Sequence, residues 1–124
     1  MAQLTEKVVK ECKRKLLETK MDLLNRIRNS RDRLSQGSDE QGGDEADQTS
    51  RLLQESEFIS NQERIRSQLL EIEMALSRIE NGNYGVCEET EEPIEVERLM
   101  AIPWTRLSIE GAELREAMKK KYAR

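Results

Sequence analysis

Histidine is absent from this 124-residue chain, and its aromatic residues amount to one Trp, two Tyr and one Phe. Losing histidine removes the commonest general base and the commonest neutral metal ligand, which leaves acid–base chemistry to carboxylates and lysines. With 35% hydrophobic and 37% charged residues, the chain lacks material for a deep core. One elongated domain with much surface fits those figures. Only two cysteines are present, Cys12 and Cys87, 75 positions apart; in a reducing compartment they are expected to be free thiols. No run of about 18 apolar residues could span a membrane, and MAQLTEKVVKECKRKLLE is charged too often for a signal peptide. A cytoplasmic protein without membrane contact is the expectation. The net charge of −4 denies it the broad basic surface that duplex DNA demands, so any nucleic-acid process would be reached by touching protein.

What the chain does have is helix-forming sequence. From about Thr5 to about Leu34 there is no Gly or Pro, and apolar residues recur at Val9, Leu16 and Leu23, with Ile27 and Leu34 on the neighbouring seam. Between about Ser50 and Glu80, Phe58, Ile65, Ile72 and Ile79 step by seven, and Leu69 and Leu76 fill the alternate position. Such heptads pack against a partner helix. Asn81-Gly82 supplies a stop, because glycine accepts the left-handed conformation that ends a helix. Residues 35–50, SQGSDEQGGDEADQTS, hold three Gly, several acids and no large apolar side chain, and read as a loop. The predicted fold is mostly α: a long antiparallel coiled-coil hairpin over 1–82 with an acidic tip loop at 35–50, then a small degenerate zinc-finger-like base and a C-terminal helix over 83–124. Two 30-residue helices would make a hairpin roughly 45 Å long. A parallel dimer of long helices also satisfies the heptads, but the matched seams and short loop favour an intramolecular return and a monomer.

Beyond Gly82, Tyr84–Cys87 and Ile94–Ala101 suggest a small irregular or two-stranded unit broken by Pro93 and Pro103, and Ile109–Tyr122 resumes a helical pattern. A four-cysteine zinc knuckle needs two CxxC pairs about 15 to 20 residues apart. That frame lands on Cys87 and Thr90, then on Ser108 and Gly111, with 17 residues between the pairs. One thiolate, two hydroxyls and a glycine do not make a structural zinc site, so no metal cofactor is expected. Apolar packing of Tyr84, Val86, Ile94, Val96, Leu99, Ile102, Trp104, Leu107 and Ile109 is the expected substitute.

These segments resemble the DksA/TraR regulators of bacterial RNA polymerase. NGNYGVCEET and IEVERLMAIPWTRLSIEG are similar to that family's YGxCxxC, IxxxRLxAxP and CxxC stretches, with Arg98, Leu99, Ala101 and Pro103 in register. At the hairpin tip the family carries Asp-x-x-Asp-x-Ala; here Asp44-Glu45-Ala46-Asp47-Gln48-Thr49 stands there, Asp47 lying 40 residues before Cys87. The resemblance is to the cysteine-poor members. It implies a non-enzymatic regulator whose hairpin enters the polymerase secondary channel, with Asp44 and Asp47 near the active centre altering promoter open-complex stability. Thr49, in place of the family's alanine, would contact polymerase there or cap the second helix, and Arg64 falls at a channel-rim position. At positions where members responding to guanosine tetraphosphate, the stringent-response alarmone, carry cations, this chain has Glu71, Ile102 and Ala112, so a weak or absent response is implied. Two other classes compete: a transcript-cleavage factor in which Asp44 and Asp47 hold a second Mg²⁺, and a plain coiled-coil interaction protein. Cys12, near the buried stripe, is expected to be a packing residue.

Overall fold

The run free of Gly and Pro becomes one helix, α1 (Glu6–Ser38), followed by α2 (Glu45–Asn81), a short α3 (Val96–Ala101) and α4 (Ile109–Tyr122). The computed structural model describes residues 4–38 and 45–122, excepting the side chains of 33–38 and 45–46. Both long helices reach further into 35–50 than its composition suggests, since α1 includes Ser35–Ser38 and α2 begins at Glu45. Asp47, in the first turn of α2, lies at the positive end of the helix dipole, which offsets the weak helix propensity of aspartate. The fold class is the predicted one, a mostly α chain whose two long helices form an antiparallel hairpin ahead of a small base and a C-terminal helix. No described helix is long and apolar enough to cross a membrane.

Two compact units divide the chain. The unit Thr19–Leu70 pairs the later turns of α1 with the earlier turns of α2. Leu23, Ile65 and Gln62 are buried there, with Ile27, Phe58 and Leu69 half-buried. Phe58, Gln62, Ile65 and Leu69 alternate steps of four and three, so Gln62 occupies a seam position that the hydrophobic reading passed over. Its Nε2 is buried with no hydrogen-bond partner.

The other unit joins Met1–Glu18 to Glu71–Arg124 and holds most of the buried side chains: Cys12, Leu16, Ile72, Ala75, Tyr84, Cys87, Ile94 and Leu99. The predicted mini-core is therefore smaller than expected at the base itself. Val86 and Ile109 are exposed, while Val96, Ile102, Trp104 and Leu107 are half-buried. Helical side chains supply the rest, because a segment this short cannot enclose its own apolar groups. Cys12 is fully buried, as its place beside the stripe predicts.

Three local devices shape this unit. Gly82, at φ +80°, closes α2: its N–H donates to Ile79 O at 3.3 Å, and Asn83 N–H donates to Arg78 O at 3.1 Å. That pair of bonds is the Schellman pattern expected of Asn81-Gly82. Residues 94–101 do not form a strand, since a single antiparallel bridge joins Val86 to Pro93 and Val96–Ala101 coils into α3. Six residues cannot satisfy their own terminal carbonyls, and α1 caps them from outside. Lys15 Nζ donates to Met100 O at 2.8 Å, and the Cys12 thiol points at Leu99 O, 3.6 Å away.

Candidate functional site

The base is built around a loop, residues 102–108, that has little regular structure of its own, so its carbonyls need donors from elsewhere. Tyr84 Oη donates to Pro103 O at 2.7 Å and Arg98 Nε to Leu107 O at 2.8 Å. Arg78 Nη2 reaches both Trp104 O and Thr105 O at 3.4 Å. Burial is the main influence on Tyr84 and Arg78: it pushes the phenol pKa up and the guanidinium pKa down. A backbone bond from Glu88 N to Arg106 O, 2.9 Å, ties the loop to the turn at 87–92.

That turn carries the first half of the zinc frame. Cys87 N–H donates to Glu92 O at 2.8 Å, Glu91 N–H donates to Cys87 O at 2.9 Å, and Glu91 takes a left-handed φ of 60°. Cys87 is 1% exposed, and its Sγ lies 3.5 Å from Thr90 N, which donates to it. Thr90 Oγ1 in turn accepts from Glu92 N at 3.3 Å. Ser108 caps α4: its Oγ accepts the Gly111 N–H at 3.0 Å. A Cβ at Gly111 would land well inside van der Waals contact distance of Cys87 Sγ. Burial pushes the Cys87 thiol up, but hydrogen bonds from the side chains and backbone of Ser108 and Thr90 outweigh it and bring the pKa down to about 6.

Cys87, Thr90, Ser108 and Gly111 thus converge as the sequence spacing requires, yet as a set they do not fit a tetrahedral zinc. Only one of them offers a thiolate, the Thr90 and Ser108 hydroxyls already accept backbone N–H groups, and the glycine's missing side chain is filled by sulfur. Among the described residues, no group of three or more His, Cys, Asp or Glu could hold a metal ion.

Carboxylates and guanidiniums sit on the flank of this base. Arg106 grips the Glu71 carboxylate with two nitrogens, Nε at 3.0 Å from Oε2 and Nη2 on Oε1. This contact holds the Glu71 carboxyl below its usual range and pushes Arg106 up. Beside the pair is a shallow cavity of about 300 Å³ lined by Glu71, Ile102, Trp104, Thr105, Arg106, Leu107 and Arg115. Sequence reading missed Arg78, Arg106 and Arg115 and gave Arg98 a motif register but no partner, because an arginine among acids gives no signal until folding brings its partner near. Ser108 as a cap was legible, since a Ser followed by an apolar residue and Glu110 marks a helix start.

The tip residues lie in the unit Thr19–Leu70. Asp44 falls outside the described residues. Asp47 and Thr49 are exposed in the first turns of α2, and Arg64 is exposed further along the same helix. Thr49 is the fifth residue of α2, well inside it, so its reading as a helix cap is wrong.

The prokaryotic dksA/traR C4-type zinc finger profile matches residues 82–117. Similarity extends through the helices. The chain is 39% identical over 106 residues to an RNA polymerase-binding transcription factor DksA from Caulobacter vibrioides, covering 84% of this chain and 72% of that protein. It is 30% identical over 102 residues to the factor of the same name from Salmonella typhimurium, covering 80% and 68%. Among solved structures, transcription factor DksA2 from Pseudomonas aeruginosa superposes with a TM-score of 0.81 at 34% identity, covering 93% of this chain and 88% of that one. With its knuckle frame, its hairpin and these relatives taken together, the chain belongs to the DksA/TraR family.

Proposed function

We propose that this protein is a non-enzymatic, cytoplasmic transcription regulator that binds RNA polymerase through the secondary channel, working as a monomer without zinc and without direct DNA contact. The observation that carries this reading is the 39% identity to a protein named for binding RNA polymerase, spread over 106 residues that include the hairpin as well as the knuckle. Exposure of Asp47 at the start of α2 supports its assignment, with Asp44 and Thr49, to the end of the hairpin that meets the polymerase active centre. Arg64, exposed on α2, is assigned to the rim. A carboxylate acting in a narrow, water-poor channel makes a charge-assisted contact worth about 1.5–3 kcal/mol. Changing an open-complex lifetime tenfold takes only about 1.4 kcal/mol.

A weak or absent response to guanosine tetraphosphate belongs to the same reading. Glu71, Ile102 and Ala112 offer no cation to a pyrophosphate, and the Glu71 carboxylate already occupies the Arg106 guanidinium. The test is a pull-down with core RNA polymerase combined with promoter-complex lifetimes. Wild-type protein is expected to bind and to shorten the lifetime of short-lived promoter complexes, and Asp47→Asn to bind equally while losing most of that effect. Equal activity of the variant would refute the tip assignment, and absence of binding would refute the reading as a whole.

A further inference from the structure

Five part-exposed side chains around the knuckle alternate in charge, and their order along the surface is Glu71, Arg106, Glu88, Arg115, Glu89. Arg106 is bidentate on Glu71, with Nε at 3.0 Å from Oε2, and its Nη1 lies 3.8 Å from Glu88 Oε2. The same Glu88 oxygen is 3.4 Å from Arg115 Nη2, and Arg115 Nε is 3.1 Å from Glu89 Oε2. These residues belong to four separate pieces of the unit: the last turns of α2, the 102–108 loop, the 87–92 turn and α4. A zinc held by positions 87, 90, 108 and 111 would cross-link two of those pieces, the turn and the start of α4. The chain of charges links the same two and adds α2.

We propose that this ion-pair chain is a clasp that does the cross-linking work of the missing metal, so that closure of the base depends on ionic strength instead of zinc. An isolated surface pair contributes little, whereas a network anchored by a bidentate arginine is the arrangement in which ion pairs count. Side-chain exposures of 28–44% leave the clasp open to screening, which at molar salt acts within about 3 Å. A metal–thiolate site would be indifferent to chloride at the same concentration. Arg106 is the second member, with an acid on each side, and its removal breaks the chain between α2 and everything after it.

The inference rests on the zinc-free reading of the base, and one experiment separates the two. Trp104 is the only tryptophan and sits in the loop that the clasp secures, so its fluorescence reports melting of the base in the full-length protein. Wild-type, Arg106→Gln and the charge-swapped pair Glu71→Arg/Arg106→Glu are melted from 20 mM to 1 M NaCl, with and without a strong zinc chelator. The wild-type midpoint is expected to fall by several degrees relative to Arg106→Gln as salt rises, Arg106→Gln to start lower at 20 mM, and the swapped pair to recover part of the loss. Parallel salt curves for wild type and Arg106→Gln overturn the clasp and leave the zinc-free reading intact. A drop with chelator at low salt overturns both.

Discussion

Cys87 stands at a metal-ligand position and has taken up other work. Its sulfur is buried, receives N–H and hydroxyl groups from Thr90 and Ser108, and fills the space that a side chain at 111 would need. A thiol with a pKa of about 6 in the folded protein and about 8.5 when unfolded contributes stability that is complete above pH 8.5 and disappears as pH falls through 6. No histidine titrates in that window. The thermal midpoint of wild-type protein is therefore expected to rise between pH 6 and 8.5, and that of Cys87→Ser to stay nearly flat; identical slopes would count against an ionised thiol. Gly111→Ala places a methyl group on the sulfur and is expected to destabilise the base by about 1–3 kcal/mol, the usual effect of overpacking, read by urea titration of Trp104 fluorescence. The identity of these positions was legible, because the knuckle spacing together with the family's motif register picks out 87, 90, 108 and 111. Their contacts were not, since nothing in a glycine 24 residues after a cysteine says that the two touch.

At the scale of elements, the long helices differ in charge as well as in pattern. α1 carries ten Lys and Arg against five acids, whereas α2 carries eight acids against four basic residues. Opposite net charge favours pairing of one helix with the other over pairing of like with like, which supports an intramolecular hairpin. Within α2, Gln62 interrupts an otherwise apolar seam with an amide nitrogen that has no partner. A buried unsatisfied donor costs about 1–3 kcal/mol, so Gln62→Leu is expected to raise the urea midpoint followed by helical circular dichroism; a lower midpoint would mean that the amide serves the pairing. At the other end of the chain, α4 owes its first turn to Ser108. Ser108→Ala is expected to cost about 0.5–2 kcal/mol, seen as a lower midpoint for the base. The bounds of α4 were readable from its apolar spacing, and those of α1 and α2 were underestimated because polar helix ends carry no hydrophobic period.

On the scale of the whole molecule, removing metal is the discriminating measurement. Incubation with a strong chelator is expected to leave the thermal midpoint of the base unchanged, and a fall of more than a few degrees would show that a metal contributes. Heptads, a glycine stop and the 3-residue and 17-residue spacings determined by themselves two long helices followed by a knuckle frame lacking its ligands, and favoured their return as a hairpin, because period and breaker chemistry act locally along the chain. How the knuckle stays closed was decided only by tertiary structure. Arg78, Arg98 and Arg106 meet carbonyls and a carboxylate at separations of 9 to 35 residues, and Lys15 crosses 85 to cap α3. A charged side chain at such distances has many partners of equal chemistry in the sequence, and only the folded backbone selects one.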